Sequence, residues 1–217
     1  MKTAVVLGAT GLVGSELIRQ LLEHPDYSTV LVFVRRSTGI THPKLTEHLV
    51  DFEKIEEWRH LIKGDVLFSA LGTTLNKAGS KAAQYRIDYT YQYEVAAAAA
   101  ENGIPGYVLI SSAGASENSP IFYSKMKGEL DLAIQKLTFA SVRILRPGIL
   151  AGNRKESRPA EAAAIKVMRF LGKIPGIRKY RPIPASVVAR AMINGALDPA
   201  RGAQVHELEG VFTLGNY

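Results

Sequence analysis

Cysteine is absent from the 217 residues, which excludes disulfides, thiolate metal sites and a cysteine nucleophile. The five histidines are scattered, with no metal-ligand spacing, so no metal site is expected. No apolar stretch approaches the ~20 residues of a membrane-spanning helix, and Met1-Lys2-Thr3 opens no secretory signal. Neither a G-x-S-x-G nucleophile turn nor a Walker loop with its lysine occurs. Long charge runs are missing too, and with 47% hydrophobic residues the chain is not of the disordered kind. These absences lead to the expectation of a soluble, cytoplasmic protein with no membrane partner. The formal charge of +7 suits an anionic ligand or nucleic acid. No helix-turn-helix or RNA-recognition motif accompanies it, so a nucleic-acid partner is not expected.

What the chain does have begins at residue 8. Gly8-Ala9-Thr10-Gly11-Leu12-Val13-Gly14 follows an apolar run over residues 4–7 and precedes Val13, Leu17, Ile18, Leu21 and Leu22, which share one helical face. The glycines therefore stand where a strand turns into a helix. Glycine there permits a tight turn, a close approach of backbone to a pyrophosphate and close helix–strand packing. The helix N-terminus adds free N–H groups and the positive end of its dipole. This is a dinucleotide-binding turn, with the middle glycine three residues after the first. The helix is expected to stop at His24, before Pro25.

Further apolar runs continue the pattern. Residues 29–34 (TVLVFV), 45–50, 65–70, 106–110 and 138–145 read as buried strands, and residues 204–208 as a last one. The fold class is thus α/β: a doubly wound, mostly parallel sheet of about seven strands in one domain spanning 1–217. Helices are expected over 53–60, 78–100 and 160–171, and around Met126, Leu130, Ala133 and Leu137. Residues 149–184 form a small insertion on the substrate side, with a basic rim at Arg154, Lys155, Arg158 and residues 177–181.

In such a sheet, ligands lie beyond the carboxyl ends of the strands. After strand 29–34 comes Arg35-Arg36-Ser37-Thr38, with no acid expected nearby. Guanidiniums and hydroxyls suit a ribose 2′-phosphate, where an acid would suit a 2′-hydroxyl, so NADP(H) is expected over NAD(H). Asp51 either accepts from the adenine amino group, with Phe52 beside the ring, or caps the helix that follows. Leu71-Gly72-Thr73-Thr74 should line the ribose and nicotinamide half, and the turn Arg146-Pro147-Gly148 the carboxamide.

The chemistry is expected at Ser112, Tyr123 and Lys127. Tyr123 and Lys127 are i and i+4 on one helical face. A free phenol ionises near pH ~10, and a neighbouring ammonium pulls that value down. Tyr123 can then give a proton to a carbonyl oxygen that Ser112 holds, while Lys127 also holds ribose hydroxyls. Ser112 is preferred to Ser111 because it stands immediately before Ala113, where the short-chain dehydrogenases that the glycine loop resembles carry their serine.

These segments, together with Val50-Asp51-Phe52-Glu53-Lys54, Lys77-Ala78-Gly79, Lys127-Gly128-Glu129 and Glu156-Ser157-Arg158-Pro159, resemble the atypical short-chain dehydrogenase/reductase branch that includes the animal Tat-interacting proteins. The resemblance runs nearly the whole length. It implies a Rossmann fold and NADPH bound by the glycine loop, Arg35, Arg36, residues 71–74, Tyr123 and Lys127. The Ser112, Tyr123 and Lys127 set points to reduction of a small carbonyl compound, and the resemblance adds an alternative, NADP(H) binding in a regulator with a protein partner and little turnover. Two departures stand out. Arg86-Ile87-Asp88 occupies the place of the active-site Asn of many short-chain enzymes. The late helix at residues 186–191 lacks an acidic pair at its start, leaving Ser186 as the expected cap. The 72 residues after Leu145 are also few for a sugar-nucleotide epimerase.

Overall fold

A computed structural model describes residues 1–151 and 180–217. The expected helix over 160–171 lies outside the described residues, as does most of the basic rim, Arg154, Lys155, Arg158 and residues 177–179 included.

Seven parallel strands make the main sheet: β1 (Lys2–Leu7), β2 (Tyr27–Val34), β3 (Leu45–Leu49), β4 (Val66–Ser69), β5 (Gly106–Ile110), β6 (Ser141–Arg146) and, after a two-stranded ladder of β7 (Leu150–Ala151) and β8 (Ile183–Pro184), β9 (Gly202–Glu207). Their order is β3-β2-β1-β4-β5-β6-β9. The winding reverses between β1 and β4, so the crevice where ligands collect in such sheets opens there.

The strands are parallel because helices cross over between them and cover both faces. On one face, Ala4, Val6, Val30 and Val32 pack against α1 (Leu12–Glu23), α7 (Ala185–Leu197) and α8 (Glu209–Leu214). On the other, Val5, Leu7, Leu67, Leu109 and Ile144 pack against α5 (Tyr91–Glu101) and α6 (Phe122–Gln135). Burial on both faces explains why β1 reads as a continuous apolar run. Each such side chain, fully covered, contributes about 1.5–3 kcal/mol.

Several sequence-based boundaries need correction. The helix expected over 53–60 is a short α2 (Ile55–Trp58) between two 3₁₀ turns. The single helix expected over 78–100 is broken. A one-turn α3 (Leu75–Ala78) ends at Gly79, whose φ of +82° is left-handed. Ser80 then caps α4 (Lys81–Tyr85), accepting from the Ala83 N–H, and a π-turn over Arg86–Thr90 leads into α5. The alanine run carries no periodicity that would betray this break. Strand β6 starts at Ser141 rather than residue 138, since Phe139 turns inward to stack on Tyr107 with centroids 5.1 Å apart. β9 covers Gly202–Glu207 instead of 204–208, and Ser186 does not cap α7: the N-cap is Pro184, while the Ser186 carbonyl accepts from Gln20 Nε2 at 2.9 Å.

Candidate functional site

The glycine loop sits at the reversal point. Gly8 has φ +76°, and a Cβ there would stand 2.4 Å from the Ala70 carbonyl at the end of β4. A Cβ on Gly14 would stand 2.0 Å from the Gly8 oxygen. The Gly11 N–H closes the turn on the Gly8 carbonyl at 2.9 Å. Thr10 and Gly11 are exposed, Leu12 is half-buried, and Val13 is in the core. No side chain caps α1, so its first N–H groups face the crevice without an internal acceptor. A backbone cradle with two glycines that tolerate no side chain, at an uncapped helix N-terminus, fits a pyrophosphate.

Arg35 and Arg36 follow β2 and are exposed. The expectation of no acid nearby is corrected in three dimensions. Glu47, on the neighbouring β3, accepts from Ser37 Oγ at 2.7 Å, from the Thr38 N–H at 2.8 Å and from Thr38 Oγ1. Burial pushes the Glu47 carboxyl up, but the bonds from Thr38 and Ser37 outweigh it and hold the group below the ordinary range. The two hydroxyls read as phosphate donors are thus committed to Glu47.

Of the two readings of Asp51, the cap is the one seen: its Oδ1 accepts from the Glu53 N–H at 3.0 Å. Phe52, expected beside the adenine ring, lies at the edge of the core. Its side chain is 5% exposed and packs against Trp58 and Tyr91, each 5.5 Å away between centroids.

Leu71 and Thr73 are half-buried, and Gly72 is exposed beside them. The Thr73 N–H donates to Asp88 Oδ1 at 2.6 Å, and Thr74 caps α3. Asp88, 1% exposed, reaches this loop from the π-turn. The Asp88 carbonyl accepts from Gln92 Nε2 at 2.7 Å, whose Oε1 accepts from Ser69 Oγ at 2.6 Å. A carboxylate thus stands where an Asn was missed, and it fixes the loop after β4.

Lys127 is 3% exposed on α6, and its ammonium donates to the Ile110 carbonyl at the end of β5, 3.1 Å away. Burial pushes the ammonium down, opposed by the charges of Asp88 and Asp131. Burial pushes both of those carboxyls up, opposed in part by Lys127. Asp131 also pairs with Arg146 Nε at 2.9 Å. It lies one turn beyond Lys127 on the same helical face, a spacing that could have singled it out. Tyr123 is one turn before Lys127 and 39% exposed. Ser111 is buried beside Asp131 and helps to lower its carboxyl, though neither Ser111 Oγ nor Asp131 Oδ1 reaches ordinary hydrogen-bond geometry. Ser112 is the half-exposed serine of the two, its Oγ 3.5 Å from the Ala113 carbonyl. Pro147 is buried, and its carbonyl accepts from the Ala113 N–H at 3.0 Å.

Gly128 sets the distance between α6 and the loop after β5. A Cβ there would lie 2.3 Å from the Ser116 carbonyl carbon. Glu207, at the end of β9, accepts from the Gly114 N–H at 3.1 Å and closes the far side of that loop. Among the described residues no cluster of His, Asp and Glu is arranged to hold a metal ion, and no helix is long and apolar enough to cross a membrane.

Comparison with known proteins agrees with this geometry. A family model described as NAD(P)H-binding matches residues 8–164. The mitochondrial protein fmp52-1 of Aspergillus terreus is 36% identical over 99% of this chain and 96% of its own length. Rat HTATIP2 is 33% identical over 99% of this chain and 89% of its own. Among solved structures, an NAD-bound short-chain dehydrogenase/reductase superfamily protein of Agrobacterium tumefaciens superposes with a TM-score of 0.72 at 14% identity, covering 95% of this chain and 77% of its own. The UDP-glucose 4-epimerase of Thermotoga maritima gives 0.70 at 15%, covering 99% and 81%. The fungal names overturn the cytoplasmic expectation: those relatives are called mitochondrial. A glycine cradle at the reversal point of a seven-stranded parallel sheet, matched across nearly the whole chain by these relatives, places the protein in the NAD(P)H-binding family, with the fungal Fmp52 proteins and HTATIP2.

Proposed function

We propose that the protein is an NADPH-dependent reductase of a small carbonyl compound, with Ser112, Tyr123 and Lys127 as catalytic residues. The observation that carries this reading is Lys127. A fully buried ammonium is costly, and this one is held at the end of β5, between two buried carboxylates and one turn from Tyr123. Packing alone gives no reason for such an arrangement beside a nucleotide cradle.

The cradle around Gly8, Gly11 and Gly14 would hold the pyrophosphate, with the first N–H groups of α1 facing it. Arg35 and Arg36 would hold a 2′-phosphate, which supports NADP(H) over NAD(H). Residues 71–74, fixed by Asp88, would border the ribose, and Pro147 the nicotinamide. When bound, the coenzyme supplies the hydride. The protein's part is to hold and protonate the acceptor oxygen. Ser112 Oγ donates to that oxygen. Tyr123 gives it a proton as negative charge develops, and the Lys127 ammonium makes the phenol a stronger acid by stabilising the phenolate left behind. The Ile110 carbonyl holds the ammonium in place through the cycle.

The test uses purified protein, NADPH and a panel of aldehydes, ketones and quinones, comparing wild type with Tyr123→Phe. The reading expects turnover that falls about 10²–10⁴-fold in the variant, the range of a positioned acid. Equal rates would remove Tyr123 as the acid. Tight NADPH binding with no turnover on any member of the panel would shift the assignment to a coenzyme-binding regulator.

A further inference from the structure

We propose that Glu47 is the specificity-determining residue of the coenzyme site: by clamping Ser37 and Thr38 it holds the turn after β2 so that Arg35 and Arg36 are presented to a 2′-phosphate. This rests on the NADP(H) reading above and deepens it.

A carboxylate near a phosphate site has two possible meanings. Left with free oxygens, it repels the phosphate and accepts from a 2′-hydroxyl, as an NAD-type site requires. With its oxygens engaged, it is a structural clamp. Here both oxygens are engaged. Oε1 accepts from the Thr38 N–H and from Thr38 Oγ1, and Oε2 accepts from Ser37 Oγ. The hydroxyl oxygens go on to accept within the same turn, Ser37 Oγ from the Gly39 N–H at 3.0 Å and Thr38 Oγ1 from the Ile40 N–H at 3.2 Å. Gly39 takes φ +73° to close it. Three hydrogen bonds therefore tie residues 37 and 38 to one carboxylate on the adjacent strand, and two more within the turn extend the hold to residues 39 and 40. The clamp begins one residue after Arg36.

This arrangement also explains why the two arginines are not neutralised by the acid beside them. Charge-assisted bonds from three donors already engage both Glu47 oxygens. Among the described residues neither Arg35 nor Arg36 forms an ion pair.

The two meanings differ in sign. If Glu47 acts only through its charge, removing it raises the positive potential and tightens phosphate binding. If it acts as a clamp, removing it frees the turn and weakens phosphate binding.

The experiment measures affinity by calorimetry at low ionic strength for adenosine 2′,5′-bisphosphate and for 5′-AMP, which differ only in the 2′-phosphate. It uses the full-length wild type, Glu47→Ala and Thr38→Val. Wild type should favour the bisphosphate. Glu47→Ala should lose about tenfold in bisphosphate affinity, as expected for losing several charge-assisted bonds, with 5′-AMP unchanged. Thr38→Val, which keeps the charge and removes a clamp bond, should lose in the same direction. Unchanged 5′-AMP binding also certifies that each variant is folded. Tighter or equal bisphosphate binding by Glu47→Ala overturns the clamp while leaving the NADP(H) reading intact. A wild type that does not favour the bisphosphate overturns that reading and the clamp with it.

Discussion

Adding one methyl group at Gly128 should cost far more activity than stability. The new Cβ would lie 2.3 Å from the Ser116 carbonyl carbon and 2.4 Å from the Glu117 nitrogen, both backbone atoms that cannot swing aside. Ordinary contact begins at 3.4 Å, so α6 and the loop after β5 must part by about 1.1 Å. Overpacking of this kind costs about 1–3 kcal/mol. A helix-interior Gly→Ala change returns about 1 kcal/mol through propensity. The net loss is then roughly 0–2 kcal/mol, or a Tm lower by at most about 8 °C for a chain of this size. Activity is more exposed. The same displacement moves Tyr123 and Lys127, on α6, relative to Ser112, on the loop. A misplacement of about 1 Å at a reacting centre costs on the order of 10²-fold. Gly128→Ala should therefore remain folded and keep NADPH affinity within about tenfold, because the glycine cradle lies on other elements and only the ribose contact of Lys127 shifts, while kcat falls about a hundredfold. Thermal melts, coenzyme titration and steady-state kinetics check the three parts. A folded Gly128→Ala enzyme with wild-type kcat would refute the claim that the contact between α6 and this loop sets the catalytic geometry.

Two further outcomes follow from the buried charges. Asp88→Asn keeps an acceptor for the Thr73 N–H and removes the charge opposite Lys127, so NADPH affinity should hold within about twofold while the alkaline limb of the pH–rate profile moves to lower pH; Asp88→Ala should weaken NADPH binding as well, and equal binding by both variants would dismiss the loop-holding role. Burial and then the Arg143 guanidinium depress His206, against the pull of Asp198. A folded pKa below the unfolded ~6.5 gives stability that is present above that value and lost as pH falls through the folded one. His206→Gln should flatten the decline in urea-denaturation stability below pH ~6.5, and an unchanged slope would reject that attribution.

The fold was legible because its grammar is local. The strands lie buried between two helical layers and so appear as apolar runs, and the glycine turn lies in unbroken sequence. β9 was blurred, since Gly202, Ala203 and Glu207 are exposed on an edge strand and give little apolar signal. The proposed site was legible only in part. The i, i+4 pairing of Tyr123 with Lys127 on one helix is read from spacing, whereas Glu47 meets Thr38 only because β3 lies beside β2. Burial of the Phe52 side chain depended on Trp58 and Tyr91, which arrive from separate elements. The break before α5 was hidden because Ala96, Ala98 and Ala99 pack as well in one helical phase as in another.

The π-turn over Arg86–Thr90 amounts to one residue inserted into a helix. It resets the angular phase, so that Gln84, Asp88 and Gln92, four apart, all point inward while the alanines beyond still meet the sheet. Deleting a single residue here would yield a smoother, more regular helix and rotate its upstream half by about 100°. The acid would then swing away from the loop it secures. Chain length at this point carries as much information as chemical identity.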